Sequence, residues 1–212
     1  ENHGDIPFLK PGDIGHETAA AMAVMAELVR RETGLPIGIN VLANGALTAI
    51  AVAKAAGAEF IRVNQWANAY VANEGFVEGE AAKVTRYRSW LRAKSIKVFA
   101  DVHVKHGSHA IVADRSITEL TRDVEFFDAD VVIATGQRTG DVATTKEIQT
   151  IKGATSLPVL VGSGVNLDNI AEILSVADGV IIASSLKRDG LWWKEVDTDR
   201  VAVFMEQVRR VQ

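Results

Sequence analysis

The feature that most constrains this chain is a repeated alternation of short apolar runs with amphipathic segments. Six runs rich in valine, isoleucine and phenylalanine predict strands at residues 37–42, 60–64, 98–105, 131–135, 158–161 and 179–183. The segments around them predict helices at residues 16–32, 45–56, 77–94, 116–127, 141–152, 166–176 and 198–211. Strands that alternate with helices form a parallel sheet with right-handed crossovers, either open or closed into a barrel.

The polarity of the strand faces favours the barrel. In the second run, aliphatic residues at 61 and 63 alternate with Arg62 and Asn64. A doubly wound sheet has helices on both faces and needs both apolar, whereas a barrel strand can carry polar groups inward near its C-terminal end. We therefore predict an α/β fold of the (β/α)8 TIM-barrel type, with a site at the C-terminal ends of the strands.

The number of strands predicts an incomplete barrel. Six strands and a Glu1-Asn2 remnant fit a barrel that lacks its first strand, first helix and most of its second strand. The length of 212 residues agrees, since a complete barrel has roughly 250. We expect a single N-terminally incomplete TIM-barrel domain over residues 1–212. Because the chain starts without a Met, we expect it to be processed or cut from something longer. An exposed sheet edge at the gap favours pairing with another chain, so a homo-oligomer is expected.

Composition narrows the partners and the chemistry. The 23 basic and 27 acidic residues are scattered, so neither nucleic acid nor an anionic membrane is an expected partner. The absence of cysteine excludes disulfides, thiolate metal sites and a cysteine nucleophile, and the cytoplasm is the expected location. No run approaches the roughly 18 consecutive apolar residues of a membrane span.

Residues 101–106 carry the densest group of reactive side chains. Strand alternation places Asp101, His103 and Lys105 on one face, pointing into the barrel, with Lys105 nearest the mouth. This column offers an acid, a base and a cation, and Arg62 and Lys105 would stabilise developing negative charge. The alternative is structural: Asp101 pairs with Lys105 or Arg62 in a buried ion pair, and His103 is a hydrogen-bonded core residue.

Two further chemistries stay open for the same column. Asp101 and His103 could be two ligands of a divalent metal, completed by Glu1, His3, Asp5 or Glu74. Lys105 could instead form a Schiff base with a carbonyl substrate, which requires a lowered pKa of its amine. No cofactor is certain, and a divalent metal is the one considered.

The predicted seventh strand of the full barrel ends in Gly162-Ser163-Gly164, whose two glycines suggest an anion site. Backbone N–H groups can approach an anion there, and Ser184 and Ser185 end the eighth strand. The loops after strands seven and eight form the usual phosphate site of such barrels. The alternative is a tight turn with Asn166 as helix N-cap. The predicted phosphate ligands are Gly162, Ser163, Gly164, Ser184 and Ser185.

The remaining candidates surround the predicted mouth. Asparagine side chains both donate and accept hydrogen bonds, which suits a hydroxylated substrate. Glu74 lies in a long loop and is a candidate acid or base, Arg138 is either a surface residue or an anion ligand, and Trp192-Trp193 are expected to pack or to contact another subunit. The other predicted substrate-binding residues are Glu1, Asn2, Asn40, Asn64, Thr135 and Gly136.

Seven blocks of the sequence resemble the BtpA family. They are Glu1-Asn2 with Gly4-Asp5 and Pro7-Phe8, residues 36–42, residues 60–64, residues 100–106, Thr135-Gly136 with Thr139-Gly140, residues 161–164, and Leu186-Lys187 with Asp189-Gly190. The resemblance implies a barrel of the ribulose-phosphate-binding type. The family includes SgcQ-like proteins for which nucleosidase activity has been suggested, and its cyanobacterial namesake is linked to photosystem I accumulation.

Two departures from the family pattern affect the implied function. The family's initial strand and helix, with a His- and Pro-rich turn, are absent here. Its Arg-Asn-Asp after the Asn40 strand reads Ala43-Asn44-Gly45, which implies an altered substrate or a weakened activity.

The function expected from residues and resemblance together is an enzyme acting on a phosphorylated sugar or nucleoside-like molecule. A nucleosidase-like hydrolase or a lyase is the expected class, in which Asp101 or Glu74 would activate water or stabilise an oxocarbenium-like centre. The alternative is a non-enzymatic assembly or stability factor for a protein complex such as photosystem I.

Overall fold

The computed structural model describes residues 1–136 and 142–211 of the chain. Within them the strands are β1 Gly38–Ile39, β2 Phe60–Val63, β3 Ala69–Ala72, β4 Gly75–Glu78, β5 Lys97–Asp101, β6 Gly107–Ser108, β7 Val131–Thr135, β8 Val159–Gly162 and β9 Gly179–Ile181. The α-helices are α1 His16–Thr33, α2 Ala46–Ala56, α3 Ala81–Trp90, α4 Ile117–Phe126, α5 Thr145–Lys152, α6 Ile170–Leu174 and α7 Thr198–Val211.

The main sheet is parallel, in the order β1-β2-β5-β7-β8-β9. Each of the six runs predicted as strands contributes one of its members, and each connection carries a helix. β5 is shorter than predicted and ends at Asp101, because the Val102 N–H makes the last contact, with Ile133 O at 3.1 Å, before the chain leaves the sheet. Parallel strands end at a common edge, so the C-terminal residues of these strands lie together.

The two faces of this sheet divide as the alternation predicts. Ile61 and Val63 are buried in the same apolar cluster as Ile50 of α2. On the opposite face the rings of Phe60 and Phe99 stack with centroids 4.3 Å apart. A Cβ at Gly38 would lie 2.0 Å from the Phe60 ring, so glycine makes the room that this ring occupies. Large rings on this face therefore fill the interior of the sheet below the mouth.

A second sheet of three antiparallel strands, in the order β4-β3-β6, stands beside the ends of β2 and β5. It corrects the helix predicted at residues 77–94, which begins only at Ala81, because residues 75–78 pair with residues 69–72 as a hairpin. Val77 on β4 is buried against Tyr70 and Val104. Burial of Val77 in this small cluster outweighs the helical tendency of the residues that follow.

The other predicted helices occur with their ends moved by up to about four residues, as cap geometry dictates. Ser116 and Thr144 accept hydrogen bonds from the N–H groups of Glu119 and Glu147 and so fix the starts of α4 and α5. Among the described residues, no helix combines the length and the apolar character that crossing a bilayer requires.

Candidate functional site

A buried network of charged and polar side chains joins β2 to β5 at the C-terminal edge of the main sheet. Arg62 Nη2 donates to both carboxylate oxygens of Asp101, at 3.0 and 3.2 Å. Asn64 Nδ2 donates to Asp101 Oδ2 at 3.0 Å. The Arg62 side chain is 10% exposed and that of Asp101 is fully buried. The ion pair that the sequence allowed between Asp101 and Arg62 is therefore present.

The strand register creates this network. Arg62 lies beside Phe99 and Val63 beside Ala100, so Asn64 and Asp101 follow as neighbours one step beyond the last pairs. Arg62 reaches across the interior toward β8, where its Nη2 lies 3.5 Å from the position that a Cβ would take on Gly162. Burial opposes the charge of Arg62, but Asp101 and Glu1 outweigh it and raise the pKa of the guanidinium. Arg62 is thus a fixed cation inside the mouth.

The first residues of the chain close the network on its other side. Glu1 Oε1 accepts a hydrogen bond from Asn40 Nδ2 at 2.9 Å and lies 3.6 Å from Arg62 Nη1. Burial raises the pKa of Glu1, but hydrogen bonds from His3 and Asn40 and the charge of Arg62 together lower it to about 2. Asn2 Oδ1 accepts from the N–H of Leu42 at 2.7 Å. Glu1 is therefore an anion that faces the same cation as Asp101.

Buried atoms at this point lack partners among the described residues. They are Asn40 Oδ1, Arg62 Nε and Oε1 of Gln65, the residue that follows Asn64. Buried polar groups are almost always hydrogen-bonded, and leaving one unpaired costs about 1–3 kcal/mol. An acceptor and a cationic donor left open at the strand ends can bind a polar ligand without first breaking a bond.

Lys105 lies four residues beyond the end of β5, in the mouth. Burial and the charge of Arg62 lower the pKa of its amine, while Asp101 and Glu1 oppose the change. No ion pair to Lys105 is formed by the parts of the chain that the structure describes. A lowered pKa favours the neutral form of an amine, which is the form that accepts a proton or attacks a carbonyl.

Three stacked rings connect His103 to the antiparallel sheet. The centroids of His103 and His109 are 3.7 Å apart, and those of His109 and Tyr70 are 5.2 Å apart. Burial and the neighbouring His109 lower the pKa of His103 to about 4. Burial, Glu74 and Asp101 raise the pKa of Tyr70. Tyr70 and His109 were not predicted from the sequence. Alternation in residues 69–72 was an available signal for Tyr70, whereas no sequence pattern indicated His109.

The loops after β8 and β9 meet at the predicted phosphate site. Ser163 and Gly164 have φ of 77° and 69°, and Ser185 Oγ donates to Val165 O at 2.8 Å. The side chain of Asn166 accepts from the N–H groups of Asp168 and Asn169, which closes a turn before α6. The predicted N-cap role of Asn166 is wrong, because α6 begins at Ile170 and its N-cap residue is Asn169. Ser184 opens a short 3-10 turn, Ser184–Leu186. Both a phosphate site and a plain turn fit this geometry, and phosphate binding stays a prediction.

The remaining candidates lie around the same edge. Thr135 Oγ1 donates to His103 O at 3.0 Å, and Gly136 follows it in a buried position. Glu74 is in the turn between β3 and β4. The Trp192 ring lies 5.4 Å from that of His3. Arg138 and the predicted Thr139-Gly140 turn fall outside the described residues.

The described residues do not complete the divalent-metal site considered for Asp101 and His103. Nowhere in residues 1–136 and 142–211 do three or more histidine or carboxylate side chains converge as a metal site would require. Both oxygens of Asp101 already accept hydrogen bonds from Arg62 and Asn64. The chemistry that the arrangement supports directly is charge stabilisation by Arg62 and proton transfer by Lys105 or His103.

Comparison with known proteins identifies the family. A model of the BtpA family matches residues 1–210. An uncharacterized protein of Archaeoglobus fulgidus is 44% identical over 201 residues, which cover 95% of this chain and 77% of that protein. A Synechocystis protein named as a photosystem I biogenesis protein is 36% identical over 207 residues, covering 97% of this chain and 71% of its own length.

The fold is shared with solved barrels. The structure of thiamine phosphate pyrophosphorylase from Pyrococcus furiosus matches with a TM-score of 0.62 and 16% identity, covering 91% of this chain and 78% of that one. At such identity the likeness concerns the fold alone. It confirms the predicted α/β architecture, a parallel sheet with helices of the TIM-barrel type.

Proposed function

The chain belongs to the BtpA family, and from that premise we propose an enzyme that acts on a phosphorylated sugar or nucleoside-like molecule. The observation that carries the proposal is the buried Arg62–Asp101–Asn64 network at the strand ends. Removing two charges from water costs several kcal/mol per ion, and apolar residues of similar volume are often as stable. Such a network at the C-terminal face of a barrel is best accounted for by a ligand that uses it.

We assign the roles from the hydrogen bonds. Asp101 has both oxygens occupied, so it orients Arg62 instead of exchanging a proton. Arg62 stabilises negative charge that develops on the substrate. Lys105, with its lowered pKa, and His103 are the proton-transfer groups.

The loops after β8 and β9 supply the proposed phosphate site. In the loop after β8, Ser163 and Gly164 have positive φ, which turns their backbone N–H groups away from the direction of the sheet hydrogen bonds. The hydrogen bond from Ser185 to Val165 O joins this loop to the loop after β9. Solved structures with this fold include an enzyme whose name specifies a phosphate compound, thiamine phosphate pyrophosphorylase. Placement of a phosphate here would put the rest of the substrate over Arg62, since Gly162 adjoins both.

A thermal-shift screen with sugar phosphates, nucleotides, unphosphorylated nucleosides and divalent ions tests the proposal. A ligand at about 100 times its Kd should stabilise the protein by about 2.7 kcal/mol. We expect stabilisation by phosphorylated compounds, and its loss in Gly164→Asp, whose carboxylate repels phosphate. The matched control is Gly34→Asp, at an exposed position that also has a positive φ, 65°, and has open space around it. A well-folded protein that no phosphorylated compound stabilises would refute the proposal.

A second enzymatic route makes Lys105 the nucleophile. Its amine would attack a substrate carbonyl and release water, leaving an imine. Treatment with borohydride in the presence of a carbonyl sugar phosphate should then attach the reduced substrate to Lys105, as peptide mass spectrometry would show. Absence of the adduct in a protein that turns the substrate over leaves proton transfer as the role of Lys105.

An assembly role is the candidate from another class, motivated by the relative named as a photosystem I biogenesis protein. It predicts a protein partner whose capture survives simultaneous substitution of Arg62, His103 and Lys105. The proposed enzyme predicts no such partner. We retain the cytoplasmic location and the homo-oligomeric state as parts of the enzymatic proposal.

A further inference from the structure

His103 belongs to a column of three rings whose other two members come from the antiparallel sheet and the segment that follows it. His109 lies against His103 with 28° between the ring planes, and against Tyr70 with 12°. Tyr70 is on β3, and its residue is only 4% exposed. The mouth and the antiparallel sheet are therefore joined through side-chain contacts as well as through the chain.

Both supporting rings are held in place from behind. His109 Nε2 lies 2.8 Å from Val104 O; because a carbonyl only accepts, this nitrogen carries the proton. Tyr70 packs with Val77 and Val104. A Cβ at position 107 would lie 2.3 Å from the Tyr70 ring, so Gly107 on β6 allows the backbone to lie against it. Movement of the Tyr70 ring would disturb its packing in the antiparallel sheet, and movement of His109 would break its hydrogen bond to Val104 O.

We propose that His109 and Tyr70 are positioning residues that hold His103 as a neutral imidazole, able to donate a hydrogen bond to a substrate oxygen. The inference rests on the proposed function, because His103 matters only if a substrate enters the mouth. A neutral imidazole can act as an electrophile without adding positive charge to a site that already contains Arg62 and Lys105. Among the described residues, Glu1 and Asp101 also act on Lys105, and Glu74 acts on Tyr70.

The electrostatics agree with this geometry. The pKa of His103 is lowered to about 4, first by burial and then by the charge that His109 would carry. A stacked ring excludes water from one face of the imidazole, and two imidazoles in face contact repel when both are protonated. The same two rings therefore orient His103 and keep it uncharged.

Titration of the protein labelled with nitrogen-15 histidine, followed by NMR, tests the inference without any substrate. We expect His103 to protonate near pH 4 in the parent. His109→Phe keeps a flat ring and removes the charge, so protonation should stay well below pH 6.5. His109→Ala removes the ring, and protonation should move toward pH 6.5 by about one pH unit or more. His16→Gln, on the exposed end of α1, is the matched control and should change nothing.

Tyr70→Leu provides a second variant that keeps both histidines and removes only the ring stacked on His109. Loss of its ring should let His109 move and should shift His103 in the same direction as His109→Ala, by a smaller amount. An unchanged His103 titration in both His109→Ala and Tyr70→Leu, or a parent His103 that titrates near pH 6.5, would overturn the inference.

Kinetics on a substrate found in the ligand screen separate this inference from the proposed function. His109→Phe should keep kcat, and His109→Ala should lower kcat about 10-fold or more with little change in KM. Equal kcat in the two variants overturns the positioning role while the enzyme stands. A screen without any phosphorylated ligand removes the proposed function but leaves the titration result intact.

Discussion

At the scale of single residues, Asp101 shows how context changes a role that sequence can only suggest. The sequence placed a carboxylate, an imidazole and an amine in one column, and the structure occupies the carboxylate with Arg62 and Asn64. Alternation along a strand predicts which residues share a face. It does not predict which cation on the next strand reaches the carboxylate, because that depends on register.

Removal of Asp101 should separate stability from function. Asp101→Ala removes the hydrogen-bonded partner of the buried Arg62 and leaves it only the Glu1 carboxylate, 3.6 Å away. The variant should therefore lower the free energy of unfolding by about 3 kcal/mol. Arg62→Met combined with Asp101→Leu removes both charges and should recover most of that loss. Urea unfolding measures both variants, and the thermal-shift screen should show no ligand stabilisation in the double variant. Ligand binding that survives in the double variant would contradict a role for Arg62 in binding.

His103 should make the protein sensitive to mild acid. Its pKa is about 4 in the folded chain against an ordinary value of 6.5, so between these values the unfolded chain binds a proton that the folded chain does not. Stability is therefore lost as pH falls from 6.5 toward 4. The loss should reach about 1–2 kcal/mol, because solvent screens part of the effect at this partly exposed ring.

Chemical unfolding at several pH values, compared between the parent and His103→Asn, measures this contribution. The variant should show a shallower decline across the same interval. Parallel curves for the two proteins would show that His103 does not titrate as described. His16→Gln again serves as the control, because its side chain is exposed.

At the scale of elements, the hairpin of β3 and β4 marks the limit of what a local pattern can predict. Residues 77–94 carry a helical pattern, yet the first of them are extended. The reason lies in partners distant in sequence: β3 pairs with β4 on one side and with β6 on the other. Local periodicity contains no information on the β6 contact, which comes from residues 107–108.

The turn out of this hairpin requires glycine. A Cβ at Gly79 would lie 2.6 Å from Trp66 O and 2.7 Å from Ala67 Cα, both backbone atoms with little freedom to move. Gly79→Ala should lower the free energy of unfolding by about 1–3 kcal/mol. Gly12→Ala, with open space around it, should change stability by less than about 0.5 kcal/mol. Equal unfolding midpoints for the two variants in urea would contradict the close approach.

At the scale of the whole molecule, the sequence predicted the architecture better than the site. Six strands, their parallel order and the helices between them follow from periods of two and 3.6 residues, which every segment repeats. Arg62 and Asp101 could be named as candidates for the same reason. The ring column of Tyr70, His109 and His103 could not be predicted. Its stacking depends on how β3 meets the irregular segments that carry His103 and His109, and no local period describes that.

The antiparallel sheet, whose strands come from the segments after β2 and after β5, also affects how such a barrel can be altered. In many barrels each loop after a strand can be exchanged separately, since the scaffold beneath it does not change. Here the segment after β2 and the segment after β5 form one sheet, through pairs such as Val71 with Ser108. Replacing one segment would strip hydrogen bonds from the other. In recombination, whether by evolution or in the laboratory, residues 64–80 and 102–116 would therefore have to be exchanged together.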